Sequence, residues 1–434
     1  MSSRRSTMVW DRAGVLSAIL EPVRLPRMAQ IRQRFVDNGI RDIPAVVERE
    51  MNRPAIASRI RPGMSIAITA GSRGIANIVV ILREIVAAVK ERGAHPFVFP
   101  AMGSHGGATA EGQRLLLEGY GITEHAVGAP VRSTMDTCVI GTTGGGLPVH
   151  LDQYAAAADG IIVVGRIKPH TAFHGTCESG LLKMMAIGMG KQRGAETCHA
   201  AGFGRFAEVV PSFARIVLST GKVLFGVGII ENSFDDTCRI EAVPPDDIEG
   251  REPQLLEEAR RLMPTIPFAE FDVLVVDTIG KNFSGDGADP NITGTYCTPY
   301  ASGGPRIKRY VILDVAEDSH GNSVGVGMAD ITTARLMEKT DYDAMYPNAL
   351  TSRALNTVRI PMVLKNDVLA LKAAVFSSVG IDPEHPRIVR IANTSHVETL
   401  CISEAMLEEA SKNPSIISIE PPAEMVFDSG GNLF

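Results

Sequence analysis

The sequence predicts an α/β fold of two domains, a parallel-sheet α/β/α domain followed by a smaller α/β domain. Three observations support this prediction. The chain has 434 residues, which is too many for one ordinary hydrophobic core. Short apolar runs alternate with stretches of helical periodicity, a pattern typical of parallel strands covered by helices. A second set of such elements begins after residues 266–270, so we place the domains at residues 1–268 and 269–434.

Strands are expected where short apolar runs end at turn residues. In the first domain these runs cover residues 65–70, 96–100, 160–164 and 223–230. Helices are expected there over residues 75–92, 109–118, 154–159, 178–186 and 250–263, with a hairpin over residues 139–151. Gly93 is typical of a helix end and Thr109 of an N-cap. In the second domain we expect strands over residues 271–277, 309–314 and 387–392, and helices over residues 332–338, 349–358, 368–379 and 403–411.

The composition is that of a globular protein, with 45 % hydrophobic and 21 % charged residues. A net charge of −6 argues against a general nucleic-acid binder and against a protein of the membrane surface. No run is long and apolar enough to span a membrane. Arg4 and Arg5 are not followed by the apolar segment of a signal peptide, so we expect a cytoplasmic protein. The six cysteines contain no C-x-x-C pair, which indicates neither a zinc ribbon nor a disulfide framework.

Glycine-rich loops follow four of the predicted strands and carry the chemically interesting side chains. Ligands of an open parallel sheet bind just beyond the carboxyl ends of its strands, and glycine allows the backbone to approach a ligand closely. The loops are Gly71-Ser72-Arg73-Gly74, Gly103-Ser104-His105-Gly106-Gly107, Arg166 to His170 continuing to His174, and Gly280-Lys281-Asn282 continuing to Gly287.

Each of these residues has a structural and a functional interpretation. Arg73 is either a solvated loop arginine or the ligand of a carboxylate, which a guanidinium binds through two hydrogen bonds. His105 is either a turn residue or a proton-transfer group, because histidine titrates near neutral pH. His170 and His174 are either structural histidines or bases.

Lys183 and His199 are less usual. Lys183 lies in an otherwise apolar helix start, and either its amine reaches water or it meets a cofactor. His199 lies near the start of a predicted helix that follows Gly190-Lys191, where it is either a cap or a metal ligand.

Taken in order, these residues resemble a known family. The set Ser72-Arg73, Gly103-Ser104-His105, Pro169-His170, Lys183 and His199 is similar to the nickel-dependent lactate racemase family, whose members act on 2-hydroxy acids. The resemblance covers residues 65–203 and, more loosely, residues 277–296. It implies a nickel-pincer nucleotide, the nickel complex of pyridinium-3,5-bisthiocarboxylic acid mononucleotide, in a cleft between the two domains.

The resemblance also implies a role for each residue. Lys183 matches the lysine that can be joined to the cofactor through a thioamide, and His199 matches the histidine that completes nickel coordination. His105 and His170 match the acid/base histidines on opposite sides of the substrate carbon, and Arg73 matches the arginine that orients the carboxylate. Ser72, Asp289 and Asn291 fall on cofactor-binding positions.

The sequence departs from the family pattern in two places. The loop from His170 to Lys183 is longer and contains His174, which is the alternative second base. The second domain lacks the expected lysine after Asp289-Pro290-Asn291, and Lys281 is the candidate for its substrate-binding role. These differences indicate a divergent member whose substrate is a 2-hydroxy acid other than lactate, with a sugar acid as one candidate.

The implied chemistry suits these residues. One histidine removes the hydroxyl proton while hydride moves to the cofactor, and the resulting 2-keto acid is reduced from its other face with the second histidine. Two alternatives stay open: a zinc or iron hydrolase or lyase with histidine ligands, and a non-catalytic protein that binds a nucleotide or an organic acid. The expected partners are a small organic acid, the enzymes that make the cofactor and a possible second copy of the chain, with no nucleic acid and no membrane. Attachment of the cofactor to Lys183 is left open.

Overall fold

A computed structural model describes residues 14–434, so Arg4 and Arg5 lie outside the described residues. The chain forms two units. The N-terminal unit contains residues 36–263 and 298–301, and the C-terminal unit contains residues 14–35, 264–297 and 302–434. The predicted division at residues 268 and 269 is therefore close to the main boundary, but it assigns residues 14–35 to the wrong unit. The strand within this segment pairs with strands from the end of the chain.

The described strands, in chain order, are β1 (Met28–Gln33), β2 (Ser65–Ala70), β3 (His95–Pro100), β4 (Thr137–Thr142), β5 (Pro148–Asp152), β6 (Gly160–Arg166), β7 (Val223–Glu231), β8 (Thr237–Val243), β9 (Val273–Ile279), β10 (Arg309–Val315), β11 (Ile331–Thr333), β12 (Met362–Leu364), β13 (Ile388–Ile391), β14 (Thr399–Ser403) and β15 (Ile416–Ile419).

The described α-helices are α1 (Val15–Leu20), α2 (Ile43–Met51), α3 (Pro54–Ala57), α4 (Ile78–Glu91), α5 (Ala110–Gly119), α6 (Glu124–Val127), α7 (Gln153–Ala157), α8 (Leu181–Lys183), α9 (Lys191–Ala200), α10 (Phe206–Ser219), α11 (Ile248–Leu262), α12 (Pro290–Thr293), α13 (Ala334–Lys339), α14 (Tyr342–Ser352), α15 (Asp367–Ser377) and α16 (Leu407–Lys412). One turn of π-helix, Met184–Gly188, follows α8 directly.

The sheet of the N-terminal unit has the strand order β3-β2-β6-β7-β8. Its first four strands are parallel, as predicted, and β8 is an antiparallel edge strand. We did not predict β8, because Arg239 and Glu241 make this stretch look like a polar loop. In the structure these two charged residues form an ion pair, while Ile240 and Ala242 enter the core.

Helices cover both faces of this sheet, which confirms the α/β/α prediction. Alternate residues of each strand enter different cores: Phe97 and Phe99 of β3 join one, and Val98 joins the other. Helices α2, α4, α5 and α6 pack on the second of these faces, and α8 to α11 pack on the first. Strands β4 and β5 form the predicted antiparallel hairpin. Each face therefore buries a continuous apolar core, and the polar loops are left at the strand ends.

The sheet of the C-terminal unit has the order β12-β11-β10-β9-β13-β14-β1-β15. The five neighbouring strands β12, β11, β10, β9 and β13 are parallel, and β14, β1 and β15 continue the sheet in antiparallel pairs. Strand β1 alternates buried and exposed residues, with Ala29 and Ile31 fully buried. Among residues 14–434, no helix is long and apolar enough to cross a bilayer.

Candidate active site

The strand order of the N-terminal unit reverses between β2 and β6. The chain passes from β2 to β3 on one side of the sheet and from β6 to β7 on the other. Ligands of open α/β sheets bind beyond the carboxyl ends of the strands at such a reversal. Arg73 follows β2, His105 follows β3 and His170 follows β6, so all three candidate residues leave the sheet at this edge.

Glycines bring these strand ends against the helical segment that follows Lys183. A Cβ atom added to Gly71 would lie 3.3 Å from Met184 Cε, and one added to Gly165 would lie 3.4 Å from the same atom. A Cβ on Gly188 would lie 2.6 Å from Met184 Sδ and 2.7 Å from the carbonyl oxygen of Ala101. The ends of β2, β3 and β6 are thus packed on the turn that begins one residue after Lys183.

The loop that carries Arg73 is fixed by hydrogen bonds on both sides of the arginine. The hydroxyl of Tyr120 donates to the carbonyl of Ser72 at 2.9 Å. The backbone N–H of Ala76 donates to Glu231 Oε1 at 2.7 Å, and the hydroxyl of Thr237 donates to the carbonyl of Ala76 at 2.7 Å. Arg73 is half-buried. Its loop is therefore a preformed support for a guanidinium at the carboxyl end of β2.

His105 is exposed, and its ring orientation is set by one backbone carbonyl. Nδ1 lies 2.8 Å from the carbonyl oxygen of Met102. Because a carbonyl can only accept, the neutral ring carries its proton on Nδ1 and its lone pair on Nε2. The flanking glycines Gly103 and Gly106 have φ values of 59° and 66°, which favour glycine. The glycine-lined turn leaves His105 exposed, and its role in proton transfer stays a prediction.

The loop that carries His170 is organised by the buried carboxylate of Glu178. One carboxylate oxygen accepts the backbone N–H of His170 at 2.6 Å, and the other accepts the N–H of Gly175 at 3.0 Å. Arg260 of α11 forms an ion pair with the same carboxylate and donates to the carbonyl of Gly175. Hydrogen bonds to an ionised acceptor are the stronger class. Glu178 thus fixes the backbone on which His170 stands.

The His170 imidazole differs from that of His105 in its tautomer. The backbone N–H of Ala172 donates to its Nδ1 at 3.0 Å, so the neutral ring carries its proton on Nε2. The ring centroid lies 4.5 Å from that of Phe173. Burial lowers the pKa of His170 well below its usual value, and the positive charges of four neighbours lower it further. These neighbours are Lys183, His199, His174 and Lys168.

Lys183 ends a single α-helical turn and is half-buried. The predicted helix over residues 178–186 is wrong in detail, because the helix starts at Leu181 and continues as a π-helix from Met184. π-helical turns are rare and are frequent at functional sites. The N–H of Leu182 donates to the buried carboxylate of Glu252 at 2.9 Å, and burial raises the pKa of Glu252 to about 7. A buried carboxyl group that titrates near neutral pH therefore caps the segment that presents Lys183.

His199 lies in the last turn of α9, and the predicted position near a helix start is wrong. Only Met189 and Gly190 separate the π-helical turn from α9, so this helix begins earlier than expected. The ring of His199 packs on Phe203 and Phe206, with centroid distances of 5.5 Å and 5.1 Å. The ring of His170 lies 5.9 Å from the same Phe203. His170 and His199 thus share an aromatic neighbour.

His174, the alternative second base, is half-buried in the same loop as His170. Its backbone N–H donates to the carbonyl of Tyr300 at 2.9 Å, and the hydroxyl of Thr298 holds the carbonyl of Ala172. These partners come from residues 298–301, the short segment that belongs to the N-terminal unit. His174 is near enough to His170 to lower its pKa, so both histidines belong to one cluster.

The C-terminal unit contains three further predicted site residues, Lys281, Asp289 and Asn291. Asp289 caps α12 by accepting the N–H of Asn291 at 3.0 Å, and the Asn291 amide also donates to Asp289 at 2.8 Å. The hydroxyl of Tyr296 donates to the Asn291 amide oxygen at 3.1 Å. The amine of Lys281 donates to the carbonyl of Gly285 at 2.6 Å. Their roles in substrate and cofactor binding stay predictions, as does that of Ser72.

Three buried residues that support this site were not predicted from the sequence. Glu178, Glu252 and Gln113 are fully or almost fully buried, and each bonds to the backbone of a site loop or helix. Arg260 is remote in sequence from Glu178, and Leu182 from Glu252. The carbonyls that Gln113 bonds lie 10 and 8 positions before it in an irregular loop, so no periodic pattern indicates the contact. Across residues 14–434, no group of three or more histidine, cysteine, aspartate or glutamate side chains is arranged to hold a metal ion.

Comparison with known proteins agrees with the residue pattern. Residues 27–207 match the lactate racemase N-terminal domain. Among solved structures, the chain is similar to the lactate racemase apoprotein of Thermoanaerobacterium thermosaccharolyticum, with 13 % sequence identity and a TM-score of 0.45 over 78 % of this chain and 88 % of that one. No curated protein matches the chain. The matched range includes β2, β3, β6 and the loops that carry Arg73, His105, His170 and Lys183. The chain therefore contains a domain of the lactate racemase N-terminal type over residues 27–207.

Proposed function

We propose that the protein is a racemase or epimerase of a 2-hydroxy acid that uses a nickel-pincer nucleotide. The observation that carries this proposal is the placement of Arg73, His105 and His170 on the three loops that leave the sheet beside its reversal point. An anion-binding group and two imidazoles at one sheet edge suit a substrate with a carboxylate and a neighbouring hydroxyl group.

Arg73 is the proposed carboxylate ligand. A guanidinium is always charged and offers two parallel N–H donors to a carboxylate. The hydrogen bonds from Tyr120 and to Glu231 hold the loop on either side of it. A fixed anchor of this kind orients the hydroxyl-bearing carbon, and orientation is a large part of catalysis in a reaction without a strong acid or base.

The two histidines are the proposed acid/base pair. His105 accepts the hydroxyl proton on Nε2, where its neutral ring has the lone pair. In this proposal the imidazole of His170 faces the same oxygen. Burial and nearby positive charge keep its ring neutral, with the proton on Nε2. His174 remains the alternative to His170, because it lies in the same cluster.

The residues of the N-terminal unit fit the proposed cofactor. When bound, the nickel-pincer nucleotide supplies the hydride acceptor and donor that the side chains lack. Lys183 provides an amine for attachment, and His199 provides an imidazole, a ligand type that nickel accepts. The rings of His170 and His199 both pack on Phe203, and the positive charge of Lys183 lowers the pKa of His170, which supports their assignment to one site. Because the cofactor brings its own sulfur ligands, a single protein nitrogen donor is sufficient.

The test is production of the protein together with the enzymes that make the cofactor. We expect one nickel per chain and a pyridinium absorbance, both reduced in His199→Ala and retained in His125→Ala, a control at an exposed histidine. If Lys183 is attached, intact mass shows an added cofactor that is lost in Lys183→Ala and kept in Lys222→Met.

Activity is then measured on enantiopure 2-hydroxy acids, from lactate to sugar acids, by chiral chromatography. Formation of the opposite stereoisomer supports the proposal. Zinc without pyridinium absorbance would favour the histidine-ligated hydrolase or lyase. Cofactor or acid binding with unchanged stereochemistry across the panel would favour the non-catalytic binding protein.

A further inference from the structure

Lys191 is a buried charged residue that the proposed reaction does not use. It begins α9 and is fully buried, which is unusual for lysine. Its φ value is 55°, a left-handed conformation that non-glycine residues rarely adopt. A backbone outlier of this kind persists only where the surrounding structure holds it, and such outliers cluster at functional sites.

The ammonium group of Lys191 joins three segments of the chain. It donates to the carbonyl of Pro100, the last residue of β3, and to Gln113 Oε1 at 3.0 Å. It also lies 3.1 Å from the carboxylate of Asp152, which is fully buried as well. Burial lowers the pKa of Lys191 and raises that of Asp152, and their mutual attraction offsets part of both shifts.

A buried ion pair is weak evidence for stability. Well-packed apolar side chains of similar volume are often as stable or more stable, because the desolvation of both charges is costly. The contacts of Lys191 with Pro100 and Gln113 instead indicate that the pair holds neighbouring segments in a fixed arrangement.

Gln113 connects this charge to the loop of His105. Its side-chain amide donates to the carbonyls of Gly103 at 2.8 Å and His105 at 3.2 Å. Its oxygen accepts from Lys191, and since an ammonium only donates and a carbonyl only accepts, the amide orientation is fixed. A Cβ on Gly106 would lie 2.7 Å from the backbone of Gln113, so the loop lies directly on the start of α5.

We propose that Lys191 is a positioning residue for His105. Through Pro100 it fixes the end of the strand that leads into the loop, and through Gln113 it fixes the carbonyls on either side of Ser104. The inference rests on the proposed role of His105 as the proton acceptor. A misplacement of about 1 Å can cost roughly 100-fold in rate, so a support of this kind controls catalysis without touching substrate.

The first test compares Lys191→Met and Gln113→Leu with Lys222→Met. Gln113→Leu removes the link to the loop and keeps the Lys191–Asp152 pair, so it remains informative if Lys191→Met does not fold. Lys222 is the matched control, because its half-buried amine donates to the carbonyl of Ala158 and has no contact with the loop. At a temperature where each variant is folded, we expect kcat to fall about 10- to 100-fold in the first two with KM nearly unchanged, and the control to keep wild-type kcat.

The second test does not depend on activity. The rate at which diethyl pyrocarbonate modifies His105, followed by peptide mass spectrometry in protein without cofactor, reports the loop directly. We expect that rate to change at least threefold in Gln113→Leu, while the rate at the exposed His125 stays unchanged. If the wild type has no racemase activity but the His105 rate changes, the positioning inference stands and the proposed function fails. A lower Tm with unchanged kcat and unchanged His105 modification would show that Lys191 is only structural and would overturn the inference.

Discussion

The loops that carry His105 and His170 leave the same edge of one sheet but prepare their histidines in opposite ways. His105 is exposed, and a carbonyl fixes its proton on Nδ1. His170 has aromatic neighbours and positive charge around it, and a backbone N–H fixes its proton on Nε2. The comparison shows that two residues of the same type acquire different proton chemistry from one backbone hydrogen bond each.

The largest expected effect separates the two histidines. His105→Ala should lower kcat about 10²- to 10⁴-fold, the typical contribution of a general base, with cofactor still bound. Glutamine carries an N–H donor near the position of Nε2 but cannot accept a proton there. We therefore expect His170→Gln to keep more activity than His105→Gln, measured by chiral chromatography with nickel content as the control. Equal losses of activity in His105→Gln and His170→Gln, or wild-type activity in His105→Ala, would contradict the proposed difference between the two histidines.

Burial also changes the proton affinity of Glu252, whose pKa is about 7 in the folded protein and about 4.5 in the unfolded chain. The folded state therefore binds the proton more tightly, and this contribution to stability is lost as pH rises from 4.5 to 7. Glu252→Gln removes the titration. We therefore compare the free energy of unfolding of this variant with that of the wild type at each pH. The variant-minus-wild-type difference should be about 3 kcal/mol larger at pH 8 than at pH 4.5, at 1.36 kcal/mol per pKa unit.

Urea unfolding at the two pH values measures this difference. Glu249→Gln is the control on the same helix, since Glu249 is an exposed partner of Arg215 and its removal should change stability by less than about 1 kcal/mol. A wild-type-like pH profile in Glu252→Gln would show that another group is responsible.

The support of the His170 loop is tested at Glu178. Glu178→Gln weakens the ion pair with Arg260 and leaves one of the two backbone N–H groups facing an amide NH2, which cannot accept, so the free energy of unfolding should fall by about 1–3 kcal/mol. Glu257→Gln is a matched control, because Glu257 is an exposed partner of the same Arg260. A loss of similar size in both variants would mean that the ion pair, and not the loop, is what matters.

The smallest expected effect concerns Arg73, in the loop that follows β2. Arg73→Lys keeps the charge but loses the two-donor geometry, so KM for the acid should rise about tenfold, equivalent to one charge-assisted hydrogen bond of about 1.4 kcal/mol. Steady-state kinetics on the active 2-hydroxy acid measures the change. An effect on kcat alone would place Arg73 in the chemical step and not in binding.

Much of the fold could be predicted because its signals are local. Strand β2 has the predicted bounds, and β3 differs from its prediction by one residue. Helix α5 begins at the predicted cap, where Thr109 accepts the N–H of Gly112. The misses have non-local causes. Strand β8 is stabilised by pairing with β7, and the π-helical turn after Lys183 is packed against the ends of three other strands.

The candidate site likewise has features that the local sequence predicts and features that depend on the folded structure. The sequence by itself determined which side chains follow the parallel strands, since glycine, histidine and arginine at strand ends are local features that chain order places at one sheet edge. Only the tertiary structure decided how those side chains are held. The proton of each histidine depends on the backbone geometry of its folded loop. Glu178, Glu252 and Lys191 act through partners up to 91 positions away, whose proximity exists only after the sheet and helices have packed.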